Sequence, residues 1–263
     1  ERMEVFGRRV IRDFMPEQHR LFYQQLPFIL FAAVDDHGRP WASMAEGRPG
    51  FVQAPQPQTL QLNAELPTDD PAAAALRKGS AIGLLGIELH SRRRNRINGH
   101  VLTLAAGLLE IGVEHAFGNC PQYIQHRDVQ INAVDHQIER PAAQRRSGLD
   151  DAARTLIAQA DTFFVASYIE RADGSRSVDM SHRGGQAGFV RVEGDCLTIP
   201  DFAGNLHFNT LGNLLLNPRA GLLFIDFASG DLLQLSGHTE LILDGPQVKA
   251  FQGAERLWQL QVE

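Results

Sequence analysis

Apolar residues in this chain fall in short blocks. Phe28–Val34 is seven residues of unbroken hydrophobicity, and 162–169 is a second block rich in aromatic and β-branched side chains. Both are shorter than an ordinary buried helix and read as strands. Each follows a helix-spaced pattern. Leu21, Phe22 and Leu26 share one face between Pro16, placed at the first helical position, and Pro27, which ends the helix. Leu149, Ala153, Leu156, Ile157 and Ala160 repeat that spacing before the second block. Asp35-Asp36-His37-Gly38 and Arg171-Ala172-Asp173-Gly174 then supply turns with glycine available for positive φ. Further strands are expected near 41–44, 50–53, 59–63, 81–88 and 95–104, and again near 177–181, 188–192, 196–199, 220–227 and 232–241. Five or six short antiparallel strands per half, with few helices, predict a small barrel.

The two lists are one list written twice. At an offset of 138, Ser43 meets Ser181 and Gly47 meets Gly185. Gly50-Phe51-Val52 meets Gly188-Phe189-Val190, Gly83-Leu84-Leu85 meets Gly221-Leu222-Leu223, and Gly99-His100 meets Gly237-His238. Matched glycines in constant register point to an internal duplication. The expected fold is mainly β with short helices, a tandem pair of duplicated split β-barrels. The expected organisation is an N-terminal barrel at 1–126, a polar connector at 127–147 and a C-terminal barrel at 148–263.

Composition excludes several alternatives. The chain has 263 residues, 43% hydrophobic and 21% charged, as expected of a globular protein. Its formal net charge of −6 argues against nucleic acid as a partner. The two cysteines, Cys120 and Cys196, form no CxxC pair and no zinc spacing. Few cysteines, no visible signal peptide at Glu1 and no apolar run near the ~20 residues of a membrane span suggest a cytoplasmic protein without a membrane partner.

The second half carries the more specific motifs. It runs Ser181-His182-Arg183-Gly184-Gly185, then Ile199-Pro200-Asp201-Phe202-Ala203-Gly204-Asn205, then Asn217-Pro218-Arg219-Ala220-Gly221-Leu222-Leu223-Phe224. These motifs resemble the FMN-binding split-barrel superfamily related to pyridoxamine 5′-phosphate oxidase. The segment Phe117-Gly118-Asn119-Cys120-Pro121-Gln122-Tyr123-Ile124-Gln125 resembles a motif of a long, duplicated branch of it. The resemblance spans about 15–245 and implies FMN held between two barrels. It implies a cofactor-binding set of Ser181, His182 and Arg183 on one strand and, on the following loop Pro200 to Asn205, of Asp201, Phe202, Gly204 and Asn205; Gly184, which permits close backbone approach, and Asn209, before a helix N-terminus, join the set on physical grounds. From the other barrel it implies the strand holding Arg92, Arg94 and Arg96, with Tyr123 at the ring. The Ser-Arg-Lys phosphate loop and the C-terminal arginine–histidine element of the true oxidases are absent. FMN binding is therefore better supported than oxidation of pyridoxamine phosphate.

The residues themselves give a physical case. In a strand, Arg92, Arg94 and Arg96 point to one face. Their counterparts by offset are Gly230, Leu232 and Gln234. Conversely, Asp201–Asn213 corresponds to a first-half segment containing Pro67, Asp69, Asp70 and Pro71, where two aspartates repel phosphate and two prolines remove amide donors. A basic face in one half and a phosphate loop only in the other predict an intrachain pseudo-dimer with one flavin. Whether whole chains dimerise is left open. The expected function is a flavin-dependent oxidoreductase acting on an unknown small substrate and electron donor, with no catalytic acid or base identified. The rivals are a non-catalytic FMN carrier or sensor, and a split barrel that binds haem or a deazaflavin. For haem, His182, His207 and His238 are the candidate axial ligands. Cys120 reads as an inert thiol, and the repeated pair His100 and His238 as structural.

Overall fold

The computed structural model describes residues 11–118, 120–130, 142–204 and 209–263. The first half runs α1 (Glu17–Gln24), β1 (Phe28–Val34), β2 (Pro40–Glu46), β3 (Val52–Gln56), β4 (Thr59–Leu62), α2 (Pro71–Ala74), β5 (Ala81–Glu88), β6 (Arg93–Ala105) and β7 (Leu108–Gly118). The second runs α3 (Asp151–Gln159), β8 (Thr162–Glu170), β9 (Arg176–Gly184), β10 (Arg191–Glu193), β11 (Cys196–Phe202), α4 (Asn209–Leu216), β12 (Arg219–Ile225), β13 (Leu232–Ile242), α5 (Pro246–Lys249) and β14 (Ala254–Val262). Each half builds a seven-stranded antiparallel sheet. The orders are β2-β1-β5-β6-β7-β4-β3 and, written in the same sense, β9-β8-β12-β13-β14-β11-β10. The connectivity is therefore identical and the fold is a duplicated, mainly β one. The expectation of five or six strands per half fell short by β7 and β14.

Strand pairing follows the repeat. Gly83 pairs with Asn98 as Gly221 pairs with Ser236, so β5 and β6 keep the 138 offset in β12 and β13. The offset breaks where strands or their connections differ in length. Ser43 pairs with Phe31, whereas Ser181 pairs with Val165, because the second β-hairpin is longer. Gly99 pairs with Val113, whereas Gly237 pairs with Val262, because α5 is inserted between β13 and β14.

The unbroken apolar runs are explained by burial on both faces. In β1, Ile29, Phe31 and Ala33 enter the first barrel's core beside Phe22 and Leu60. Leu30 and Ala32, pointing the other way, join Phe164, Ala166, Met180 and Leu223 of the second half. In β8, Phe163 and Val165 pack inward on Phe224 and Trp258. A third apolar core thus lies between the halves. Its contacts interchange equivalent residues, as a two-fold axis requires. A Cβ on Gly83 would stand 2.9 Å from the Asp179 Cα, and one on Gly221 would stand 2.9 Å from the Trp41 Cα. Asp179 and Trp41 are themselves 138 residues apart. Only glycine allows strand backbones to approach this closely.

Candidate functional site

One end of this inter-half contact opens into a cleft. Its wall from the first half is β6, with Arg94 and Arg96. Its wall from the second half is the end of β9 (His182, Arg183, Gly184), the end of β11 (Pro200, Asp201, Phe202) and Gly204. Residues 120–127, which follow β7, form a strap over it and contribute Cys120, Gln122 and Tyr123. Nine of the thirteen expected site residues line this one cleft: Arg94, Arg96, Tyr123, His182, Arg183, Gly184, Asp201, Phe202 and Gly204.

Arg94 is buried, with 9% of its surface exposed. Its Nε donates to the Cys120 carbonyl at 2.9 Å, its Nη2 to the Gln122 carbonyl at 2.9 Å, and its Nη1 lies 3.1 Å from His182 Nδ1. No carboxylate among the described residues pairs with it. Burial, with Arg96 and Arg183 nearby, lowers its pKa to about 9, so it stays a cation at neutral pH. Arg96 is instead neutralised by Asp179 at 3.1 Å, both side chains being almost wholly buried. Ser181 donates to Asp179 at 2.9 Å, and Thr210 donates to Ser181 at 2.9 Å. This network links β6 of one half to β9 and α4 of the other. Arg183 lies 3.5 Å from Asp201, whose carboxyl is raised above the usual range by burial despite the pull of Arg183 and Arg256.

Three buried nitrogens in this cluster have no hydrogen-bond partner among the described residues: His182 Nε2, Arg183 Nε and Arg96 Nε. Unsatisfied buried polar groups are costly and concentrate where something else is meant to bind. His182 is pushed well below its ordinary pKa, first by burial and then by Arg94, Arg183, Arg96 and Arg127. It is a neutral imidazole in a field of guanidinium groups. The chemistry is that of a site for an anion or a ligand rich in acceptors.

The strap is held on both sides. Tyr123 Oη donates to the Ala203 carbonyl at 2.6 Å, Gln125 Nε2 donates to the Gly185 carbonyl at 3.0 Å, and Arg127 pairs with Asp161 at 2.6 Å. A Cβ on Gly184 would collide with the Tyr123 carbonyl. The strap backbone thus approaches this glycine as closely as a missing Cβ allows. With the strap in place the cleft encloses about 70 Å³. That suits a small oxyanion, a water in bulk taking ~30 Å³. It is well below the ~300 Å³ at which pockets for whole cofactors begin.

Four expected residues lie elsewhere. Arg92 does not share the face of Arg94 and Arg96; it sits at φ 55° in the exposed turn before β6, which starts only at Arg93. Ser181 is wholly buried and used in the Asp179 network. Asn209 opens α4 but does not line the cleft. Asn205 lies outside the described residues, as do Asn119, His207 and 131–141 of the connector. Sequence reasoning missed Cys120, Gln122, Phe189 and Thr210 of the lining, and Asp179 behind it. Phe189 was legible as part of the repeat, and Asp179 as the same-face neighbour of Ser181 on one strand.

The symmetry-related position in the first half has different chemistry. Leu232 and Gln234 replace the arginines, and Met44 and Ala45 replace His182 and Arg183. Gln234 donates to Asp70 at 3.1 Å, and Asp70 also caps α2 by accepting from the Ala73 amide. His100 and His238 face Glu114 and Glu263 across neighbouring strands, at 3.5 and 2.8 Å, in half-exposed positions. Cys120 is half-buried, with its Sγ 3.6 Å from Gln122 Oε1. No cluster of three metal-binding side chains occurs among the described residues, and none of their helices is long and apolar enough to cross a membrane.

No protein-family model matches this chain, and no curated protein does. Among solved structures, HupZ of Group A Streptococcus aligns at 15% identity over 44% of this chain and 90% of its own, with a TM-score of 0.34. HutZ of Vibrio cholerae, described as a heme storage protein, aligns at 14% identity over 44% of this chain and 91% of its own, with a TM-score of 0.30. A Lactobacillus delbrueckii protein provisionally described as a pyridoxamine 5′-phosphate oxidase aligns at 14% identity over 40% of this chain and 95% of its own, with a TM-score of 0.32.

Proposed function

We propose that the cleft between the halves binds FMN and that the chain is a flavin-dependent oxidoreductase. The observation that carries this reading is Arg94, a buried cation held by two carbonyls and an imidazole with no carboxylate partner among the described residues. A phosphate monoester carrying close to two negative charges would supply the missing anion. Arg94 and Arg183 would take its oxygens by charge-assisted bonds, and His182 Nε2 would give a neutral one. Phe202 and Tyr123, 5.8 Å apart edge to face, are the flat side chains available to the ring. The 70 Å³ cleft admits a phosphate with the strap closed, so the ring would lie where residues 120–123 now sit. Bound there, the flavin would supply two-electron redox chemistry, while the protein contributes binding, orientation and exclusion of water.

Flavin fluorescence quenching on titration with FMN tests the reading. The wild type is expected to saturate at one FMN per chain. Arg94→Ala is expected to weaken binding by ~10–100-fold, the loss of a charged hydrogen bond of about 1.5–3 kcal/mol. Equal affinity in the two proteins would remove Arg94 from the site. Reduction of bound FMN by a nicotinamide, followed by multiple turnover with an acceptor, distinguishes an oxidoreductase from a carrier.

A further inference from the structure

We infer that Arg94 is a positioning residue that fixes the tautomer of His182, and so decides what class of ligand the cleft accepts. The inference rests on the cleft being the ligand site proposed above, and adds the basis of its selectivity. A guanidinium has donors only. Its Nη1 is 3.1 Å from His182 Nδ1, so Nδ1 must be the acceptor and present its lone pair. In a neutral imidazole the proton then resides on Nε2. That nitrogen is buried and has no partner among the described residues. The ring is held from its other side by an edge contact with Phe164, at 5.7 Å between centroids. Arg94 is itself held by the Cys120 and Gln122 carbonyls, so neither group is free to turn.

The consequence is a choice between ligand chemistries. An Nε2–H is a hydrogen-bond donor and meets an acceptor, such as a phosphate oxygen or a carbonyl or ring nitrogen of a flavin. It offers no lone pair to a metal. An iron ligand at Nε2 would need the opposite tautomer, with Nδ1–H donating to a carbonyl or carboxylate, the arrangement usual for metal-bound histidine. Arg94 faces that nitrogen with a donor. The cleft is therefore built for oxygen- and nitrogen-acceptor ligands and against axial ligation of haem by His182.

Long-range ¹H–¹⁵N correlation spectra of the free, uniformly labelled protein read the tautomer directly and need no FMN. The expected result at neutral pH is the Nε2–H form of His182, assigned by its loss in His182→Gln. An Nδ1–H form, or a protonated ring, would overturn the inference. Arg94→Met is expected to release the preference and populate Nδ1–H, while Arg94→Lys, which keeps a donor, retains Nε2–H. An unchanged tautomer in a folded Arg94→Met would show that Arg94 does not set it. Titration with haemin gives a second readout. The wild type is expected to show no shift of the haem absorption that depends on His182, and Arg94→Met to gain one that His182→Gln abolishes. A His182-dependent shift in the wild type would refute the selectivity. Failure to bind FMN alongside a confirmed Nε2–H tautomer would reject the flavin alone.

Discussion

At the scale of the residue, the account turns on charges taken out of water. Arg96 and Asp179 form a buried pair whose members are only 8% and 4% exposed. Removing one partner leaves the other uncompensated, so Asp179→Ala is expected to cost about 3–5 kcal/mol in urea unfolding. The double variant Arg96→Met, Asp179→Leu is expected to recover most of that loss, since apolar replacement of a buried pair is often neutral. His182 gives the pH dependence. Its folded pKa lies well below 6.5 and its unfolded pKa near that value. Between the two, the unfolded chain binds a proton that the folded chain refuses. Stability is therefore complete above about 6.5 and falls as pH drops, by up to about 1.4 kcal/mol per pH unit. His19, also lowered mainly by burial, adds to the slope. Unfolding curves at pH 7 and near pH 5.5 should show the loss, and His182→Gln should remove part of it. A stability unaffected by pH over this range would mean that His182 is not buried as described.

At the scale of the element, the strap is the part that must move. With the strap closed the cleft encloses about 70 Å³, room for a phosphate but not for a flavin ring, so the strap must give way to FMN. Hydrogen exchange of residues 120–127 is therefore expected to accelerate when FMN is added, and to be fast without ligand in Arg94→Ala. Slower exchange on FMN binding would mean that the strap closes over the ligand instead. None of these contacts was legible in the sequence, because Tyr123, Gln125 and Arg127 reach partners 34 to 80 residues away. The strands, α1 and α3 were legible because their signals are local. Even the two missed strands carry such a signal. Leu109, Ile111 and Val113 alternate with Glu110, Gly112 and Glu114 in β7, and Trp258, Leu260 and Val262 alternate with glutamines in β14. Arg92 was misplaced for the converse reason. Alternation placed it with Arg94 and Arg96, but the strand begins one residue later, and Arg92 sits before it at a positive φ.

At the scale of the whole molecule, duplication is the organising fact. It was readable as matched glycines, and two of those, Gly83 and Gly221, sit where the halves meet. Gly221→Val would drive a side chain into the Pro40–Trp41 backbone, an overpacking expected to cost about 1–3 kcal/mol or more and several degrees in Tm. Gly212→Ala in α4, where a Cβ meets nothing within 4 Å, is the control and should be neutral or slightly stabilising. The halves then diverged in chemistry. One site keeps the arginines and His182, while its symmetry mate has Leu232, Gln234, Met44 and a capping Asp70. We accordingly propose one ligand per chain, held by both halves. The absorption spectrum of the freshly purified protein, with chromatography of whatever it releases, tests this most directly. The account predicts a flavin spectrum, either as purified or after addition of FMN, with one FMN released per 263-residue chain. A Soret band, or a colourless protein that takes up no added FMN, would contradict it.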